Sequence, residues 1–86
     1  MRFVVHGHVQ GVGYRAATRR KALGWALQGW VFNRDDGCVE GVVAGPAEAL
    51  AAFRRWLAVG PPLARVSQVE WLPSPEQPDG PFVVRK

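Results

Sequence analysis

The sequence predicts an α+β domain in which a mostly antiparallel sheet carries two helices on one face. Three observations lead there. Strand-like and helix-like segments alternate in the order β-α-β-β-α-β, with a short strand at the end. The two central strands are joined by Arg34-Asp35-Asp36-Gly37, a hairpin signal rather than a crossover. With 86 residues the chain has room for one core, so 1–86 is expected to be a single domain. This order is the ferredoxin-like split-βαβ arrangement. It hosts enzymes, metal carriers and RNA binders, so it does not by itself name a function.

Phe3 to Val9 is rich in β-branched residues and reads as the first strand. Gln10-Gly11-Val12-Gly13 breaks it, since paired glycines permit backbone angles that other residues avoid. From Tyr14 to about Trp25 the period becomes helical: Tyr14, Thr18, Ala22 and Trp25 share one side, while Arg19, Arg20 and Lys21 supply a wet one. Leu27 to Asn33 is the second strand, and Cys38 to Val43 returns beside it. Asp36-Gly37 between them suits the positive φ angles of a tight hairpin. Gly45-Pro46 opens the clearest helix, Ala47 to Val59, with Leu50, Phe53 and Leu57 as its apolar stripe and Glu48 in the first turn. Gly60-Pro61-Pro62 ends it. Arg65 to Leu72 is a strand, the proline-laden stretch Pro73 to Pro81 a loop, and Phe82 to Arg85 a short closing strand.

Composition narrows the function classes. A 48% hydrophobic share with 21% charged residues argues for a packed core. That core is too small to wall in a dinucleotide, so no cofactor is expected. No apolar stretch approaches the roughly 20 residues a membrane crossing needs, and the N-terminus has no signal-peptide pattern. Cys38 is the only cysteine, which rules out an intrachain disulfide and makes a cytoplasmic location the expectation. The net charge of +4 favours anionic partners, from phosphate compounds to nucleic acid, without choosing among them.

The informative segment is Val9-Gln10-Gly11-Val12-Gly13-Tyr14-Arg15, which joins a strand to a helix. Its glycines can turn successive N–H groups inward as an anion-binding nest, and the helix start adds positive potential. Arg15 falls in the first helical turn, where a cation opposes the helix dipole; a bound anion would remove that conflict. A glycine-rich turn followed by an ordinary exposed arginine explains the same letters. Loop chemistry alone leaves both readings open. The P-loop pattern is absent, because this loop ends Gly-Tyr-Arg. Gly11-x-Gly13-x-x-Ala16 matches the letters of the dinucleotide fingerprint, but Asp35 and Asp36 lie in a hairpin turn. Cys38 lacks a following arginine that would make a cysteine-phosphatase loop, and it reads as a strand residue without a catalytic role. His6 and His8 are two apart and expected on one sheet face, with no third ligand in view, so no metal site is expected.

Several segments together resemble the acylphosphatase family. His6-Gly7-His8-Val9-Gln10-Gly11-Val12-Gly13-Tyr14-Arg15 is similar to its signature Gly-Arg/Lys-Val-Gln-Gly-Val followed by two variable or aromatic residues and Arg. Gly29-Trp30-Val31-Phe32-Asn33 is similar to its Gly-Trp-Val-x-Asn motif, and Asp36-Gly37-Cys38-Val39-Glu40 to its hairpin. Gly45-Pro46, Gly60-Pro61-Pro62 and Phe82-Val83-Val84-Arg85 follow in the same order, so the resemblance spans nearly the whole chain. His8 replaces the usual Arg or Lys, Phe32 a frequent Arg, and Trp25-Ala26-Leu27 a usual Leu-Gly-Leu, which puts the end of the first helix in question.

The resemblance implies hydrolysis of acyl phosphates to a carboxylate and inorganic phosphate, with Arg15 and Asn33 catalytic. Such a substrate is an activated anhydride with a good leaving group, so positioning and charge stabilisation can carry the reaction without a covalent nucleophile or a metal. Arg15 is expected to clamp the phosphate, the backbone of Gln10, Gly11, Val12, Gly13, Tyr14 and Arg15 to hold its other oxygens, and Asn33 to orient the attacking water. On position alone, Asn33 reads equally as a residue bonding local backbone before a turn. The rival reading is a basic RNA- or phosphate-binding module without catalysis. It lacks the aromatic run on which RNA-recognition sheets stack bases. A monomer free of membrane and nucleic-acid partners is expected. With no linker or zinc-finger cysteines in the chain, it is expected to stand alone rather than belong to a larger maturation enzyme.

Overall fold

A computed structural model describes residues 1–86. The elements are β1 (Arg2–His8), α1 (Tyr14–Gly24), β2 (Gln28–Asn33), β3 (Val39–Ala44), α2 (Ala47–Leu57), β4 (Arg65–Leu72) and β5 (Val83–Val84). They form one sheet in the order β4-β1-β3-β2-β5. β1 pairs antiparallel with β3 and β4, β2 antiparallel with β3, and β5 parallel with β2. The α+β ferredoxin-like class expected from the sequence is the class observed. No helix is long and apolar enough to cross a membrane.

Alternation along the strands divides the sheet into two faces. Phe3 and Val5 of β1, Val31 of β2, and Val39 and Val43 of β3 join Tyr14, Ala22, Phe53, Leu57 and Phe82 in the fully buried core. Phe53 anchors α2: its ring lies 5.4 Å from Phe3, 6.1 Å from Phe82 and 6.5 Å from Trp71. Truncating such a ring costs about 3–5 kcal/mol. On the other sheet face, Arg2 pairs with Glu40 at 3.0 Å, Arg34 with both Glu40 and Asp36, and His6 with Glu70. Glu40 raises the pKa of Arg2, by hydrogen bonding and by its charge.

Three local details lie outside the expected pattern. The β2–β3 turn is not a two-residue loop, because Asp36 keeps a negative φ and only Gly37 is positive, at 94°. Arg34 N–H bonds Cys38 O at 2.8 Å, leaving Asp35, Asp36 and Gly37 as a three-residue loop, the pattern in which the glycine takes the left-handed position. The register of β1 against β4 shifts between His6 and Gly7, where Ser67 of β4 has no partner across the ladder. The His6 ring contacts Cys38 Sγ at 3.2 Å through Nδ1 and Glu70 through Nε2. Finally, α1 ends in a Schellman-type motif. Leu27 N–H bonds Ala22 O and Ala26 N–H bonds Leu23 O, with Ala26 left-handed at φ 56° where glycine is the usual occupant.

Candidate active site

The loop between β1 and α1 takes its shape from Gly11 and Gly13, both at φ 77°. A Cβ at either would meet nothing within 4 Å, so glycine is needed there for conformation rather than for space. Gly13 occupies the N-cap of α1, with no side-chain cap and no acid in the first turn. The first N–H groups of the helix therefore face the loop's concavity without an intrahelical acceptor. A cavity of about 230 Å³ opens there, lined by Val9, Gln10, Gly11, Gly13, Tyr14, Arg15, Ala16, Asn33 and Val84.

The two predicted catalytic residues meet in this cavity. Arg15 reaches it from the first turn of α1, and Asn33 from the last residue of β2. Arg15 Nη1 donates to the carbonyl of Arg85 at 3.3 Å, a long bond that leaves the rest of the guanidinium without a protein partner. Asn33 Oδ1 is buried and has no hydrogen-bond partner. An unpaired buried amide oxygen costs stability, on the order of 1–3 kcal/mol. Asn33 and the largely unpaired Arg15 line the same cavity.

The other loop residues divide by what their side chains do. Gln10 turns its amide away from the loop and donates to Arg34 O at 2.8 Å and Cys38 O at 3.0 Å. Val12 packs against the core and does not line the cavity. Tyr14 is a core residue: its hydroxyl donates to Leu57 O at 2.6 Å, its ring lies 5.6 Å from Trp56, and burial pushes its pKa upward. Only the main chain of Tyr14 can serve an anion, so Arg15 is the sole loop side chain offering charge. Sequence reasoning missed the C-terminal contribution. Val84 lines the cavity and the Arg85 carbonyl holds Arg15, because β5 adds beside β2. The apolar run Phe82 to Val84 gave the strand but carried no signal of its neighbour.

The family model described as acylphosphatase matches residues 1–84. An acylphosphatase of Cupriavidus metallidurans is 57% identical over 65 residues, covering 76% of this chain and 68% of that protein. One from Xanthomonas oryzae pv. oryzae is 50% identical over 82 residues, covering 95% of this chain and 93% of its own. The crystal structure of acylphosphatase from Bacillus subtilis superimposes with a TM-score of 0.94 at 36% identity, covering 99% of this chain and 96% of that one.

Proposed function

The chain belongs to the acylphosphatase family, and from that premise we propose how its residues hydrolyse the carboxyl–phosphate bond of acyl phosphates. The phosphoryl group sits in the loop Gln10–Arg15. Its oxygens take N–H bonds from the nest and the first turn of α1, and Arg15 adds a charge-assisted, two-pronged contact. Arg85 O holds one edge of the guanidinium and leaves the other for the ligand. The Asn33 side-chain amide hydrogen-bonds the attacking water and aims its oxygen at phosphorus. The water oxygen forms the new P–O bond as the anhydride P–O bond breaks. The carboxylate leaves with that electron pair, and the water's proton passes to a phosphoryl oxygen. Positioning and electrostatics carry the rate, so the reading calls on no covalent nucleophile.

The observation that carries this reading is that Asn33, whose Oδ1 has no partner within the fold, and a largely unpaired Arg15 line one cavity beside the glycine loop. The same reading has the protein act as a cytoplasmic monomer: both proposed catalytic side chains come from one chain. Nucleic acid is not among the proposed partners. Trp30, on the sheet face an RNA-binding domain would use, is covered by the Arg85 guanidinium at 4.0 Å from its ring centre.

The test is phosphate release from a simple aromatic acyl phosphate, with and without a strong chelator. Turnover should persist after chelation, and inorganic phosphate should inhibit competitively. Activity that vanished with chelator and returned with a divalent cation would overturn the mechanism.

A further inference from the structure

The proposed site is built from two segments that are not paired with each other directly: β1 leads into the loop, β2 carries Asn33, and β3 lies between them. β1 pairs with β3 from Arg2↔Val42 as far as Val5↔Val39, and there the ladder stops. Beyond that point β1 runs on into the phosphate loop, while the β2–β3 hairpin carries Asn33 and turns back. Past Val5, side chains join this continuation of β1 to the hairpin: His6 meets Cys38 Sγ at 3.2 Å, and Gln10 reaches the hairpin carbonyls from the loop itself.

Gln10 spans this gap. Its Nε2 donates to Arg34 O at 2.8 Å and to Cys38 O at 3.0 Å. Those carbonyls stand at the neck of the hairpin, where Arg34 O also accepts from Gly37 N–H and Cys38 O from Arg34 N–H. Asn33 and Val39, the last cross-strand pair, lie immediately next to that neck. One primary amide thus fills the second acceptor positions of both carbonyls and fixes the hairpin against the residue that precedes Gly11. Both Nε2 hydrogens are used, which fixes the orientation of the amide.

We propose that Gln10 is a positioning residue for the hydrolysis, its side-chain amide setting where Asn33 places the water relative to a phosphate held by Arg15 and the nest. The proposal rests on the water-orienting reading of Asn33. It assigns Gln10 a second role besides any main-chain contact to phosphate. The phosphate cradle is complete without the Gln10 side chain, so binding and turnover separate. Misplacement of a reacting group by about 1 Å costs turnover on the order of 100-fold.

Gln10→Met removes both donors at similar length, and Gln10→Asn keeps the amide about 1.5 Å too short to reach. Each should lower kcat roughly 10- to 100-fold, while the inhibition constant for inorganic phosphate stays close to the parent's. In an Asn33→Ala background, Gln10→Met should add little further loss, because its effect acts through Asn33. Either Gln10 variant with parental kcat overturns the proposal. So does a phosphate inhibition constant that worsens as much as kcat falls, which would make Gln10 part of the cradle. If Asn33→Ala leaves kcat intact, the water-orienting reading fails and this proposal with it. If Asn33→Ala lowers kcat but Gln10→Met adds its full loss on top, only the role of Gln10 is overturned.

Discussion

The two sides of this small sheet use charge in opposite ways. On the face away from the helices, Arg2, Glu40, Arg34 and Asp36 form a closed chain of ion pairs, and His6 meets Glu70. At the loop end, Arg15 touches only one carbonyl, and Asn33 Oδ1 is buried without a partner. The first arrangement satisfies its polar groups within the protein and has little left to offer a ligand. The second leaves capacity open at a cost in folding free energy, which ligands bound as proposed would offset. An incomplete hydrogen-bond inventory, rather than the density of charged residues, singles out the proposed site.

The sharpest way to break this contrast is at Arg15. A charge-assisted hydrogen bond contributes roughly 1.5–3 kcal/mol, so losing a paired contact should cost about 3–6 kcal/mol, or two to four powers of ten in kcat/KM by transition-state arithmetic. Arg15→Ala should lose turnover and phosphate inhibition together. Arg15→Lys should recover little, since an ammonium lacks the flat fork. Inhibition constants measured on folded variants check this, and parental phosphate affinity in Arg15→Ala would place the anion elsewhere.

Asn33→Ala comes next, with turnover expected to fall about 100-fold, as for loss of one oriented catalytic group. Phosphate inhibition should be retained, because phosphate does not need the water. The variant also removes an unpaired buried oxygen, so its thermal midpoint should not fall. If Asn33→Ala bound phosphate as poorly as Arg15→Ala, Asn33 would be a phosphate ligand.

The loop glycines give a smaller effect. Gly11→Val or Gly13→Val has open space but must hold a left-handed backbone, at about 1–3 kcal/mol for a non-glycine residue. Phosphate binding should weaken while the far-UV circular dichroism stays native. Asn at the same positions should do better than Val, since it tolerates that conformation. Equal behaviour of Val, Asn and the parent in phosphate titrations would argue against the nest.

The paired face should respond weakly. Arg2→Ala is expected to cost about 1 kcal/mol or less, because Arg2 is 39% exposed and such pairs are screened. Its kcat should be unchanged in the same assay. Cys38→Ser should keep most of the turnover, as the thiol does not line the cavity. Burial, reinforced by the nearby Asp36 charge, pushes the Cys38 pKa upward. The folded state thus disfavours the thiolate, so stability is full below the ordinary thiol range and declines as pH rises through it. Asp36 has the opposite sign. The Cys38 N–H, first among its partners, holds its carboxyl low, so its contribution is present above the usual carboxylate range and fades as pH falls. Denaturant midpoints of the parent and Cys38→Ser across the alkaline range would show the first trend as a shallower decline in the variant.

The sequence determined the element order, the hairpin and the glycine loop, and it singled out Arg15 and Asn33, which line one cavity, because each is written in local patterns or in a motif read along the chain. Hydrophobic period placed Phe53 and Leu57 inside, and the loop glycines announced a special backbone where φ is indeed 77°. The tertiary structure alone decided what each polar atom touches. Nothing local required Tyr14 to spend its hydroxyl on Leu57 O, forty-three positions away, or Gln10 to reach the neck of the hairpin. Nor could the letters Trp25-Ala26-Leu27 show that an alanine would hold the left-handed end of α1, since the propensity that favours glycine there is about 1–2 kcal/mol and packing overrides it. The Arg85 carbonyl reaches Arg15 only because β5 adds parallel to β2 at the sheet edge. Side-chain partners at long separation depend on register and strand order, which the three-dimensional packing fixes and a linear pattern does not encode.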